Sequence, residues 1–301
     1  MTRNLLSIDH YGIDQYQQIF DKTGIFLQNP LSKRLVGRKL INLFFEASTR
    51  TRSSFEIAAK NMGAEVINID VSTSAVKKGE SEIDTIKTLS AMQADFITIR
   101  HSVGGFVKKL ATYTEAHVIN SGDGAREHPT QALLDCFTIL QNKGRVQGLN
   151  IGICGDLINS RVARSNIKLL SKMGANLYLI APHSLMPSKI PIPNLKFCYS
   201  LKDIVGKLDV LMTLRIQKER MSNSVIASEK EYGYFFGLND RNLVDRKSNL
   251  IILHPGPINR GVEISSKVAD SASSMILKQV ANGIAIRQAV LEFLDNGPVP
   301  N

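Results

Sequence analysis

Between an apolar run, Leu40 to Phe45, and a helix-spaced set of Phe55, Ala58, Ala59 and Met62, the chain places Ser48-Thr49-Arg50-Thr51. Three hydroxyls and a guanidinium in four consecutive positions exceed what a helix start needs, because one Ser or Thr side chain satisfies the first turn. The apolar run is short enough for a buried strand, and the pattern from Arg52 onward reads as a helix stopped at Gly63. A strand that passes into a helix through such a turn is suited to an anion. The helix start offers unpaired N–H groups and the positive end of its dipole, and the side chains add charge-assisted hydrogen bonds. Phosphate oxygens match this donor set.

Polar groups recur after the other short apolar runs. They are Lys77-Lys78-Gly79-Glu80, Arg100-His101, Glu127-His128-Pro129-Thr130-Gln131, Asp156 to Arg161, Arg215-Ile216-Gln217 and His254-Pro255-Gly256-Pro257. A lone histidine or arginine is more often structural, but ligands of open parallel sheets bind beyond the carboxyl ends of the strands. Recurrence there favours a shared site, and its basic character points to substrates with several negative charges. No paired carboxylates stand at these positions to chelate a metal. Gly152-Ile153-Cys154-Gly155-Asp156 has only part of a dinucleotide-binding turn, since Ile158 and later positions supply no glycine. A tight strand-to-helix turn explains it better, with Asp156 as a turn residue.

The elements that must position these groups alternate. Strands are expected at 40–45, 65–69, 96–100, 117–120, 150–154, 177–181, 210–214 and 250–253. Helices are expected around 16–23, 52–62, 130–142, 160–173 and 271–294, with two more carrying Ile83, Ile86 and Leu89, and Phe106, Val107, Leu110 and Ala111. Polar loops join them at 70–81 and 121–129, and a Pro-rich one at 182–193. This order predicts an α/β chain of two doubly wound domains, each a central parallel sheet flanked by helices. The boundary falls near Gly144 to Gly148, dividing residues 1–145 from 146–274.

The 301 residues suit two domains, and 43% hydrophobic with 21% charged residues is ordinary for a globular protein. No apolar run approaches the roughly 20 residues that cross a bilayer. Asp9 and His10 precede any signal-like region, and Cys136, Cys154 and Cys198 form neither a disulfide framework nor a zinc pattern. A cytoplasmic chain with reduced thiols is the expectation, without a membrane partner. The formal charge of +10 raises nucleic acid as a partner. The basic residues are scattered and no nucleic-acid module appears, so small anionic substrates are favoured.

In order, the motifs resemble those of the aspartate and ornithine carbamoyltransferases over nearly the whole chain. They are Phe44-Phe45-Glu46-Ala47-Ser48-Thr49-Arg50-Thr51-Arg52, Lys77-Lys78-Gly79-Glu80, Arg100-His101, Gly122-Asp123-Gly124, and His128-Pro129-Thr130-Gln131-Ala132-Leu133-Leu134-Asp135. Gly155-Asp156 with Arg161, Arg215-Ile216-Gln217-Lys218-Glu219-Arg220 and His254-Pro255-Gly256-Pro257 complete them. The Ser-Thr-Arg-Thr and His-Pro-Thr-Gln motifs are common to both branches. Lys-Lys-Gly-Glu and Arg-x-Gln-Lys-Glu-Arg favour the aspartate branch, and the His-Cys-Leu-Pro typical of ornithine enzymes is absent.

The resemblance implies carbamoyl transfer from carbamoyl phosphate to L-aspartate, in pyrimidine synthesis, with no cofactor and no metal. It implies that Ser48, Thr49, Arg50, Thr51, Arg100, His128, Gln131, Gly256 and Pro257 bind carbamoyl phosphate. Lys78, Arg161, Arg215 and Gln217 would bind aspartate, and Arg50, Thr51, Lys78, Arg100 and His128 would be catalytic. Glu46 would orient an arginine by ion pairing. The resemblance further implies a carbamoyl-phosphate domain at 1–145, joined by a C-terminal helix of about 275–301, and an aspartate domain at 146–274. It also implies a homotrimer in which Ser74 and Lys78 come from the neighbouring chain, open to larger assembly with regulatory chains or a dihydroorotase-like protein. The competing readings are a carbamoyltransferase for ornithine or a modified ornithine, a non-catalytic homologue, and a basic nucleic-acid binder.

Overall fold

The computed structural model describes residues 3–70, 80–193, 195–216 and 228–296. The chain separates into two compact units, Met1–Leu134 with Ala281–Asn301, and Asp135–Val280. Each contains one wholly parallel sheet with helices, so the expected α/β architecture of two doubly wound domains is present.

The first unit is built on β1 (Lys39–Phe44), β2 (Glu65–Asp70), β3 (Phe96–His101) and β4 (His117–Asp123), in spatial order β2-β1-β3-β4. Between them run α2 (Thr49–Asn61), α3 (Glu82–Ala91) and α4 (Phe106–Leu110), after an initial α1 (Ile13–Gln28). Strands covered on both faces carry nearly unbroken apolar runs, and Leu40, Ile41, Leu43, Phe96, Ile97 and Ile99 are all buried. Ile41, Leu43, Ile97 and Ile99 pack with Ile86 and Leu89 of α3 and Val107 and Leu110 of α4. On the opposite face, toward α2, one polar chain crosses the sheet. The Thr98 hydroxyl donates to Asn42 Oδ1 at 2.5 Å, Asn42 Nδ2 to Asn68 Oδ1 at 2.8 Å, and Asn68 Nδ2 to Glu56 Oε2 at 2.9 Å. Lys60 Nζ completes it at Glu56 Oε1, 2.7 Å away.

The second unit orders β5 (Asn150–Cys154), β6 (Asn176–Ile180), β7 (Leu195–Cys198), β8 (Val210–Thr213) and β9 (Ile251–Leu253) as β7-β6-β5-β8-β9. Its helix α6 (Arg161–Lys172) begins where the Ser160 hydroxyl accepts the Ala163 N–H, and buries Ala163, Ile167, Leu169 and Leu170. Two short helices, α7 (Glu229–Phe235) and α8 (Ser266–Ala269), lie later in this unit. Helices α5 (Pro129–Lys143) and α9 (Ile276–Asn296) each begin in one unit and end in the other. The last part of α9 is tied to the first unit. Glu292 pairs with Lys22 and Arg34, Arg38 pairs with Asp295, and the Arg287 guanidinium lies 5.0 Å from the Phe55 ring centre.

Several boundaries differ from expectation for physical reasons. Thr49, Arg50 and Thr51 form the first turn of α2 and are not a separate turn before it. β4 runs on to Asp123, and α1 is longer at both ends than the apolar pattern required. The last helix starts at Ile276 and not at Ser271, because Ser273 O accepts from Ile252 N and Met275 N donates to Ile252 O. Those bonds bridge Ser274 to β9, and a turn closed by the Ser274 N–H on Ser271 O occupies the positions before it. The strand β7 and the helices α7 and α8 have no counterpart among the expected elements; all three are short, and β7 is a half-exposed edge strand carrying Lys196. Among the described residues no helix is long and apolar enough to cross a membrane.

Candidate active site

In the first unit, the chain leaves β1 through Phe45 and Glu46 and enters α2 at Thr49. Ser48 occupies the cap position with no side-chain capping bond, so its hydroxyl is not spent on the helix. Thr51 is buried, whereas Thr49 and Arg50 are exposed. Partial desolvation lowers the Arg50 guanidinium from its usual value, which leaves it a cation at any physiological pH.

Arg100 is the penultimate residue of the neighbouring strand, level with Phe44, and its carbonyl accepts the Phe45 N–H at 2.9 Å. The Arg100 Nε lies 3.2 Å from Glu46 Oε2, so the expected Glu46–arginine pair is present. An irregularity in the sheet aims this side chain. While β3 advances from Ile99 to His101, β4 advances from Asn120 to Asp123. The extra residue leaves the Ser121 carbonyl outside the regular ladder, where it accepts from Arg100 Nη1 at 3.4 Å. His128, Thr130 and Gln131 are buried at the head of α5, where the His128 carbonyl accepts the Gln131 and Ala132 N–H groups. The preceding Glu127 is fixed by the Ser7 hydroxyl at 2.6 Å and the Ile8 N–H at 3.0 Å.

In the second unit, Gly155 has φ of +134°, and a side chain there would set Cβ 2.9 Å from Leu214 Cβ and 3.1 Å from its carbonyl oxygen. Glycine lets the turn after β5 pass against the end of β8, one residue before Arg215. The buried Asp156 carboxylate accepts from the Asn159 N–H and side-chain amide, the turn role expected of it. Arg161 is buried in the first position of α6, and Arg215 is half-buried.

Beyond β9, His254 is buried among partners that fix the Pro255-Gly256-Pro257 segment. Its Nδ1 accepts the Gly256 N–H at 2.7 Å, which leaves the proton on Nε2, 3.2 Å from Glu263 Oε1. The His254 N–H donates to Gln279 Oε1 at 2.9 Å. Gln279 Nε2 donates to Asp135 Oδ1 at 2.7 Å, and Asn166 Nδ2 to Asp135 Oδ2 at 2.8 Å. All four residues are buried, so α5, α6, α9 and the end of β9 share one polar network.

The first unit thus assembles Ser48, Thr49, Arg50, Thr51, Arg100, His128 and Gln131 near the ends of its strands. The second carries Arg161, Arg215, Gly256 and Pro257 in the same relation to its own sheet. Ser74, Lys78 and Gln217 lie outside the described residues. Sequence reasoning did not single out Glu82, Glu263, Asn166 or Gln279. Only Asp135 left a signal, a carboxylate set between Leu133-Leu134 and Cys136-Phe137. Among the described residues no group of three or more His, Cys, Asp or Glu is placed to hold a metal.

This geometry agrees with what the chain is similar to. A family model described as aspartate/ornithine carbamoyltransferase, carbamoyl-P binding domain, matches residues 3–141. A second, the Asp/Orn binding domain of the same family, matches residues 147–294. The aspartate carbamoyltransferase catalytic subunit of Bartonella tribocorum is 49% identical over 97% of this chain and 92% of its own length. That of a Bradyrhizobium species is 52% identical over 97% and 94%. The crystal structure of Trypanosoma cruzi aspartate transcarbamoylase in complex with carbamoyl phosphate and aspartate aligns with a TM-score of 0.87 at 30% identity, covering 97% of this chain and 96% of that one. With both domain models matched in order and half its residues shared with such relatives, the chain belongs to the aspartate/ornithine carbamoyltransferase family.

Proposed function

We propose that the chain catalyses transfer of the carbamoyl group from carbamoyl phosphate to the amine of L-aspartate, giving N-carbamoyl-L-aspartate and phosphate for pyrimidine synthesis. The observation that carries this reading is the α2 start, with Ser48 uncommitted to capping and Arg100, oriented by Glu46, on the adjacent strand end.

In this reading residues 1–145 form the carbamoyl-phosphate domain and 146–274 the aspartate domain. Ser48, Thr49, Arg50 and Thr51 take the phosphate, and Arg100 reaches from it toward the carbonyl oxygen. The aspartate nitrogen attacks the carbonyl carbon, and the oxygen gains charge in the tetrahedral intermediate. Thr51, Arg100 and His128 donate to that oxygen. The carbon–oxygen bond to phosphate then breaks, and the departing phosphate accepts the amine proton. Gln131 and the carbonyls of Gly256 and Pro257 orient the carbamoyl NH2.

Arg161 grips the α-carboxylate of aspartate, and Arg215 with Gln217 the side-chain carboxylate. Lys78 reaches both substrates. Planar guanidinium forks suit two-point contact with carboxylates, and a cationic side chain such as that of ornithine would leave Arg215 facing a like charge. Orientation and electrostatics supply the catalysis.

A homotrimer sharing Ser74 and Lys78 between chains, in the cytoplasm, completes the reading; the three free cysteines agree with a reducing compartment. Mixing inactive Arg50→Ala chains with inactive Lys78→Ala chains should restore activity, and its failure to return rejects shared sites. The direct test supplies carbamoyl phosphate with aspartate and with ornithine in parallel. Carbamoylaspartate is the expected product, and turnover of ornithine alone would overturn the second-substrate assignment.

A further inference from the structure

We infer that Glu82 and His101 are positioning residues for Arg100, a role that rests on the carbamoyl-phosphate function proposed for that arginine. Arg100 and His101 are the last two residues of β3 and turn to different surroundings. The Arg100 guanidinium reaches Glu46 and the Ser121 carbonyl. The His101 imidazole enters the layer of α3 and α4.

Four contacts fix that imidazole. Its Nδ1 accepts the Val103 N–H at 2.9 Å, which assigns the proton to Nε2, 3.0 Å from Glu82 Oε1. The ring stacks on Phe106 with centroids 4.4 Å apart at 24°, and meets Phe45 at 5.0 Å. Glu82 is the first residue of α3 and Phe106 the first of α4. The side chain is 5% exposed, so the imidazole has one available orientation.

The backbone on either side is bonded as well. Arg100 O accepts from Phe45 N, and His101 O accepts from Gly124 N at 2.8 Å. Where the β3–β4 ladder is irregular, regular pairing holds this stretch of β3 from the β1 side alone. The histidine and its glutamate take over that task beside the arginine. A space-filling aromatic would require neither the carboxylate nor the Val103 N–H. Among the described residues Glu82 meets no group assigned to substrate, and its hydrogen bond to His101 is its route to Arg100.

Glu82→Ala, Glu82→Gln and His101→Phe are compared with the wild-type chain for kcat and for KM of each substrate, with melting temperature as the check on folding. Glu82→Ala should lower kcat/KM for carbamoyl phosphate about tenfold, because small displacements of a positioned group are costly to rate. The KM for aspartate should stay within about twofold. Glu82→Gln keeps an oxygen to accept from Nε2–H and should recover most of the loss. His101→Phe keeps the stacking, loses both hydrogen bonds, and should fall at least as far as Glu82→Ala. Full activity in Glu82→Ala, equal damage in the Ala and Gln variants, or a KM for aspartate raised as much as that for carbamoyl phosphate would overturn the inference while leaving the proposed function standing. A wild-type chain with no turnover rejects the proposed function, and this inference with it.

Discussion

Replacing Gly124 by alanine isolates how tightly the strand ends beneath the candidate site are packed. The backbone there has φ of +52°, a left-handed conformation that costs a residue with Cβ about 1–2 kcal/mol. The new Cβ would also stand 2.5 Å from Gly104 N, 2.8 Å from Gly104 Cα and 3.0 Å from Ser102 O. All three are backbone atoms, so no side chain can rotate away, and the overpacking adds about 1–3 kcal/mol. Gly37, in the same unit, has φ of +81° and open space around the position of a Cβ. Gly37→Ala should therefore cost only the conformational part, about 1–2 kcal/mol, against about 2–5 kcal/mol for Gly124→Ala. Urea unfolding of both variants, followed by circular dichroism with a common slope, reads the difference directly. Because the Gly124 N–H donates to His101 O, displacement of Gly124 should also reduce carbamoyl transfer, which Gly37→Ala should spare. Equal destabilisation by the two substitutions would refute the steric reasoning, since both sites have positive φ and only Gly124 has backbone atoms where a Cβ would stand.

Gln279→Leu leaves the His254 N–H and an Asp135 carboxylate oxygen without the amide that joins them, and should cost about 2–5 kcal/mol in unfolding free energy; a loss below about 1 kcal/mol would show the network to be dispensable. Arg215→Ala should raise the KM for aspartate while calorimetry finds carbamoyl-phosphate binding intact; equal loss of both would contradict the assignment. Burial alone would raise the Asp209 carboxyl, but the Lys247 hydrogen bond, the Asn150 N–H and the charges of Lys247 and Lys143 outweigh it and hold the group below its ordinary 3.8. With the folded value depressed, its contribution is complete above the unfolded value and lost as pH falls through the folded one. Asp209→Asn should thus destabilise by about 1 kcal/mol at pH 7, a gap that closes below pH of about 4; a constant gap would reject this. Cys136 and Cys154 are fully buried, which pushes both thiols up, Cys154 to about 12. A thiol reagent at pH 8 should find at most Cys198 before unfolding and all three cysteines after it.

The parallel strands were legible because burial on both faces writes them as nearly unbroken apolar runs, as in Leu40 to Phe45 and Phe96 to Ile99, each broken by one polar residue. Short or half-exposed elements leave no such trace: β7 shows the alternation of neither a buried strand nor a helix. The arginines could be read because charge at a strand end has few structural uses. What holds them could not. Glu82 and His101 are nineteen positions apart, and no local pattern in either segment announces their hydrogen bond. The same holds for Gln279, which meets Asp135 across 144 positions. Long-range partners of a polar group are a property of the packing, whereas the group itself is a property of the residue. The start of α9 illustrates the converse, a helical pattern at Ser271 overridden by bonds to Ile252.

The amide of Asn42 also acts as an index mark. A strand of Leu, Ile, Leu and Phe could slide by two residues against its neighbours and still present the same faces. Asn42 is level with Thr98 on one side and Asn68 on the other, and bonds to both. A two-residue slip would set it against Phe96 or Arg100, abandoning buried polar groups at about 1–3 kcal/mol each. At about 3.3 Å per residue, the same slip would carry Ser48 roughly 6.6 Å along the strand axis from Arg100. One side chain in the middle of β1 therefore converts a sliding contact into a single notch, and the spacing between the hydroxyl turn and the arginine is set there, inside the sheet.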